Sequence, residues 1–281
     1  MTNTQRGDEA LEKLDKALKS RERKKKSGPA AVVAASLVVI VGVVAGIWYF
    51  ATQDSNEDVV AEESTSETTT AEYTPLSMKR EEQLPETVSC TYEPAGEAAK
   101  GATPPAKTEN VSARGTVNVE LDTTQGKISM ELDRETAPCT VNAIEHLVEN
   151  NYYDDTVCHR LTTSGIYVLQ CGDPTGTGAG GPGFQFANEY PTDEKTDSSI
   201  GPVIYPRGSI AMANAGPGTN GSQFFLNYKD SPLAPDYTYF GQISDEGLNT
   251  LDSIAEKGTE SSGSGDGAPA EEVRIKSATI K

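Results

Sequence analysis

From Arg114 onward the chain alternates. Val117, Val119 and Leu121 are separated by polar residues, a turn follows at residues 124–126, and Ile128, Met130 and Leu132 resume the pattern. A period of two on both sides of a turn predicts a β-hairpin. The period then lengthens. Thr136, Ala137 and Pro138 suit a helix start, and Val141, Ile144, Leu147 and Val148 fall on one face of a helix ending near Asn150 and Asn151. Further short strands are predicted near residues 156–161, 166–170, 208–213, 223–227 and 238–243. A second helix fits 247–256, and a closing strand begins at Val273. Eight short strands with two helices predict a mainly β fold: a closed antiparallel eight-stranded barrel capped by helices over residues 114–281.

Upstream the pattern is different. Residues 29–51 run PAAVVAASLVVIVGVVAGIWYFA, 23 positions without a charge. At about 1.5 Å per residue such a helix crosses a hydrocarbon core of about 30 Å. It lacks the polar face of a buried core helix. Trp48 and Tyr49 sit at its end, where amphipathic rings favour the membrane interface. The basic run KSRERKKK precedes it, and Asp54, Glu57, Asp58, Glu62 and Glu63 follow. That asymmetry predicts a single-pass transmembrane helix with residues 1–28 cytoplasmic and everything after residue 51 outside the cell membrane. A cleaved signal peptide would have a shorter apolar core and a small-x-small site, which is not evident. Residues 52–75, acidic and rich in Ser and Thr, predict a flexible stalk, because they cannot offset the entropy of ordering. Residues 76–113 show little periodicity and predict an irregular extension packed in places on the domain.

Charge narrows the partners. The 281 residues hold 24 Lys/Arg and 42 Asp/Glu, a net −18; residues 1–28 hold nine and five of these, so the remainder holds 15 and 37, a net −22. A chain that acidic repels phosphate backbones, which argues against nucleic acid. The 36% hydrophobic fraction fits a chain that is only partly packed.

Four segments then carry a resemblance. CHRLTTSGIYVLQCGD (158–173), GSIAMANAGPGTNGSQFFLN (208–227), YTYFGQI (237–243) and the opening GKISMELDRETAPCTVNAIEHL match, in order and spacing, the signature stretches of the cyclophilin family. The resemblance spans about residues 114–281 and implies a peptidyl-prolyl cis/trans isomerase. It implies Arg160 as the catalytic arginine, Gln170 and Gln223 as the pocket glutamines, and Ala213, Asn214 and Ala215 as the peptide-binding stretch. The implied proline pocket has Phe225, Met212, Tyr167 and Val168 at its floor, with Leu233 and Tyr237 at its rim. Two departures stand out: two additional residues between Arg160 and Gln170, and Pro232 where many members have tryptophan, which implies weakened cyclosporin binding. The implied partners are proline-containing segments of exported proteins.

These residue types suit the reaction. An X–Pro bond turns slowly because its amide has partial double-bond character, with a barrier of ~18–20 kcal/mol. Lowering it requires no nucleophile, cofactor or metal, only preference for the twisted amide, whose nitrogen gains a lone pair. A held guanidinium aimed at that nitrogen supplies the preference. An apolar socket takes the ring.

Other motifs carry less. Cys158 beside His159 is no thiol dyad, since adjacent strand residues face opposite ways. TGTGAGGPG (175–183) lacks the Lys-Ser/Thr of a phosphate loop. Cys90, Cys139, Cys158 and Cys171 all follow the apolar run, as suits an oxidising exterior, and no Cys-x-x-Cys or Cys/His cluster indicates a metal. Of three pairings, the family's strands imply Cys158–Cys171, which leaves Cys90–Cys139 to pin the extension to the first helix.

Overall fold

A computed structural model describes residues 73–195, 201–260, 263 and 265–281. The apolar run 29–51, residues 1–28 and nearly all of the stalk lie outside them. Among the described residues no helix is long and apolar enough to cross a membrane.

The hairpin forms as its alternation dictates. Strands β1 (Thr116–Thr123) and β2 (Gly126–Asp133) pair with Val117 opposite Leu132, Val119 opposite Met130 and Leu121 opposite Ile128. All six side chains are buried on one face, the arrangement that a period of two requires. At the turn, the Thr123 hydroxyl donates to the Gly126 carbonyl (2.6 Å) and Gly126 adopts φ +130°. Helix α1 (Pro138–Glu149) starts on its proline and buries Val141, Ile144, Leu147 and Val148. Helix α2 (Asp245–Lys257) is capped by the Ser244 hydroxyl, which accepts from the Gly247 amide (3.1 Å), and buries Leu251 and Ile254.

The main sheet adds eight strands: β3 (Thr156–Val157), β4 (Arg160–Thr162), β5 (Val168–Cys171), β6 (Ser209–Met212), β7 (Phe224–Asn227), β8 (Tyr239–Ile243), β9 (Asp266–Gly267) and β10 (Arg274–Ile280). Its hydrogen-bonded order is β9-β4-β5-β7-β6-β8-β2-β1-β10-β3, antiparallel throughout. Ten strands, not eight, take part, and the order ends at β9 and β3 instead of running round a closed ring. Two local events raise the count. Cys158 and His159 split one expected strand into β3 and β4, which pair with different neighbours, and the short β9 adds itself outside β4. Because β3 and β4 are only two residues apart yet pair near opposite ends of the order, the sheet must curl.

Curling gives the sheet an inner and an outer face. Inside, Ile128, Met130, Ile210, Met212, Phe224 and Leu226 pack with α1 and α2 in one large cluster. Outside, Val168, Ala211, Phe225 and Tyr239 join Leu76, Tyr190 and Tyr205 in a second, smaller one. Successive residues of β6 and β7 alternate between the two clusters.

The extension is more regular than its sequence foretold. Leu76 donates its amide to Ile204 (2.8 Å), Thr87–Val88 pairs with Val111–Ser112, and Glu93–Ala98 pairs with Pro182–Gln185. Both implied disulfides are present, Cys90–Cys139 and Cys158–Cys171. Arg80 further ties the extension down, bonding to Asp193 (2.7 Å) and stacking over Tyr190.

Candidate active site

Cross-strand register builds the site. Arg160 on β4 lies opposite Gln170 on β5, Gln170 opposite Phe225 on β7, and Phe225 opposite Ala211 on β6. Residues directly opposite share a face, so this row stands on the outer side of the curled sheet. Side-chain hydrogen bonds reinforce it. Arg160 Nε and Nη2 each donate to the Asp266 carboxylate at 2.8 Å, and Nη1 donates to Gln170 Oε1 at 3.4 Å. Gln170 Nε2 donates to Gln223 Oε1 (3.0 Å), and Gln223 Nε2 to the carbonyls of Gly178 (3.0 Å) and Gly180 (2.9 Å). Every donor in the relay points the same way, from the guanidinium toward the glycine loop.

Two adjoining pockets lie along this row. The first, about 170 Å³, is lined by Arg160, Ile166, Val168, Gln170, Ala213, Asn214, Phe225, Leu233 and Tyr237. The Tyr237 ring meets Phe225 edge-on at 5.5 Å. The second, about 330 Å³, shares Gln170, Ala213 and Asn214 with the first and adds Ala215, Gln223 and the loop around Gly180. Of the twelve residues implied for catalysis and binding, ten line one pocket or the other.

Two do not. Met212 is fully buried in the inner cluster, because its neighbour Ala211 is the residue that shares the face of Phe225. Tyr167 packs on Tyr228 (6.0 Å) under the Lys229 ammonium, beside a different cavity. The same period of two explains this case, since Ile166, Val168 and Gln170 share a face and Tyr167 takes the other. Ile166 fills the place expected of Tyr167. The side-chain amides of Asn214 and Gln223 serve the scaffold: Asn214 Nδ2 donates to the Asp236 carbonyl (3.0 Å), as Gln223 does to the loop.

The electrostatics are local. Arg160 has a side chain 40% exposed, and its pKa is raised above the ordinary value by the Asp266 hydrogen bonds, against the effect of burial. The partner carboxylate of Asp266 is held below its usual range by the same bonds. Burial would push Asp173 up, but donors from Thr175, Gly180 and Gly178 outweigh it and lower it. That carboxylate thereby gathers the loop over the second pocket. Burial lowers His159, whose ring lies under Gly178. At Gly172, φ is +95° and a Cβ would stand 2.2 Å from the Ser222 carbonyl, so only glycine lets β5 leave the pocket there. Among the described residues no group of His, Cys, Asp or Glu is placed to hold a metal.

Asp266 and Ile166 went unseen in the sequence. Asp266 sits in a Ser/Gly-rich stretch with no periodic signal, 106 residues from its partner.

Comparison with known proteins bears on family and fold. The family model described as cyclophilin type peptidyl-prolyl cis-trans isomerase/CLD matches residues 116–280. A probable peptidyl-prolyl cis-trans isomerase B of Mycobacterium leprae is 52% identical over 195 residues, 68% of this chain and 66% of that protein. The Mycobacterium tuberculosis protein of the same name is 49% identical, covering 68% and 64%. The chain thus spans just under two thirds of the length of these mycobacterial relatives. A peptidyl-prolyl cis-trans isomerase-like 1 from Gibberella zeae is 39% identical, with 59% of this chain and 95% of that one covered. Among solved structures, a Cryptosporidium parvum cyclophilin type isomerase superposes with a TM-score of 0.50 at 32% identity, covering 59% and 98%. With matching segments, matching fold and a matched region that contains the whole Arg160 row, the chain belongs to the cyclophilin-type peptidyl-prolyl cis-trans isomerase family.

Proposed function

We propose that this chain catalyses cis/trans isomerisation of X–Pro bonds, with Arg160 stabilising the twisted amide. The observation that carries the reading is the register row, which holds the guanidinium beside the pocket floored by Phe225. A guanidinium has five N–H groups. Asp266 and Gln170 engage three, leaving one on each Nη for a prolyl nitrogen. The ring sits against Phe225, Val168 and Ile166, and twisting exposes its nitrogen lone pair to those donors. Because the fork is already fixed at both ends, little reorganisation accompanies the step.

A second reading, a proline-binding module without turnover, draws on one observation. The bidentate Asp266 carboxylate offsets part of the charge that Arg160 presents. Exchange NMR on an Ala-Pro peptide with the full chain separates the two. Catalysis broadens and exchanges the cis and trans resonances; binding without accelerated exchange leaves the module reading standing.

We also infer that the domain acts outside a cell membrane on exported proteins, anchored by residues 29–51. The uncharged run, its basic and acidic flanks and two disulfides support this. Protease added to intact cells should remove the domain and leave a short protected N-terminal fragment. A wholly protected domain would reverse the topology.

A further inference from the structure

We propose that the extension, which precedes the family match, completes the substrate site. Its strand Glu93–Ala98 walls the second pocket, and Glu93 makes that pocket select a Lys or Arg side chain from the polypeptide flanking the proline. The inference rests on the reading of the first pocket as a proline site.

Ala95 lines the 330 Å³ pocket together with Gly180, Gly181 and Gln185. The strand's position is fixed by backbone pairing, with Glu93 opposite Gln185, Pro94 opposite Phe184 and Ala98 opposite Pro182. Ala99 adds a bond from its amide to the Gly181 carbonyl (2.9 Å). Since directly opposite residues share a face and Gln185 lines the pocket, Glu93 stands at its rim, two residues from Ala95. The seating is close. At Gly183, φ is +78° and a Cβ would come within 2.6 Å of Ala98, so a side chain there would lift the wall.

Several independent ties hold the segment. Cys90 is bonded to Cys139 on α1, and the Tyr92 hydroxyl donates to the Cys139 carbonyl (2.8 Å). The Tyr92 ring packs edge-on against Phe184 and Phe186, and Lys100 Nζ bonds to the Tyr152 carbonyl at 3.0 Å. A wall tied this firmly is part of the site before any peptide arrives.

The chemistry of the pocket selects its occupant. None of its lining side chains is charged, and the carbonyls of Gly178 and Gly180 at its wall accept from Gln223 Nε2. Glu93 at the rim is exposed and Glu97 on the same strand is also exposed. A long cationic side chain lying in this uncharged pocket brings its charge toward the Glu93 carboxylate at the mouth, whereas an acidic one is repelled there. The exposed position limits the discrimination to a few-fold.

The full chain is titrated by NMR with Lys-Ala-Pro-Phe, Ala-Ala-Pro-Phe and Glu-Ala-Pro-Phe, and isomerisation of each is read by exchange spectroscopy. Wild type is expected to bind the Lys peptide about fivefold more tightly than the Glu peptide. Glu93→Lys inverts that order, whereas Glu149→Lys, the same change of charge at the end of α1, keeps it. Equal preference in wild type and Glu93→Lys overturns the proposal, as does an equal shift in Glu149→Lys, which would point to net charge alone. If the order stands and inverts while no peptide exchanges faster, the wall is upheld and the catalytic reading falls. Accelerated exchange with no preference among the peptides does the reverse.

Discussion

On the proposed mechanism, Arg160→Ala is expected to lower kcat/KM for an X–Pro peptide by about 10²–10³-fold. That range is the measured consequence of removing one preorganised donor from a developing charge, roughly 3–4 kcal/mol of transition-state stabilisation. Loss of stability does not account for it. The Arg160–Asp266 pair is 40% and 51% exposed, and exposed pairs contribute at most about 1 kcal/mol to folding. The variant therefore stays folded at assay temperature, and its thermal midpoint measured alongside the rate checks this. Arg160→Lys keeps the charge but loses the planar fork that spans Asp266 and Gln170, so its rate falls between wild type and alanine. Equal rates in wild type and Arg160→Ala would remove the guanidinium from the mechanism and leave the pocket as a binding groove.

Replacing Cys90 and Cys139 together by serine costs about 4 kcal/mol of stability in the chain-entropy model, since the bond links residues 49 apart. The corresponding change at Cys158 and Cys171, 13 apart, costs about 3 kcal/mol. The first loss falls unevenly. Without the tie to α1, residues 91–101 keep their pairing with Pro182–Gln185, the Ala99 bond to Gly181 and the contacts of Tyr92 and Lys100, so their amides are expected to exchange before those of β1 and β2. Urea titration gives the total, and hydrogen exchange gives its distribution. A total below about 1 kcal/mol would mean that the extension is held by its packing alone.

Much of the fold was legible because the hairpin and both helices each bury one face at a regular period. The site was legible for a different reason: its residues lie in segments that resemble a known family, and strand register then assembles them. What escaped was decided by side-chain direction and by loops. Met212 and Tyr167 were carried to the pocket by the family resemblance, and a period of two turns both away from it. Ile166 lines the pocket because it shares the face of Val168 and Gln170 at a period of two. Within the extension, the strand Glu93–Ala98 gave no periodic signal because a shift of register between Pro94 and Ala98, with Gly96 at φ +67°, breaks its alternation. Asp266 lies in a stretch whose composition fits any exposed loop.

The outward row of Arg160, Gln170, Phe225 and Ala211 is fixed by main-chain pairing across four strands. A slip of a single position in that ladder would send a strand's outward side chains inward together and bring core residues to the surface. Guanidinium, amide and ring stand on three different strands, so every pairing between them must be in register for the row to form. A single slipped strand is therefore enough to take one of the three away from the groove.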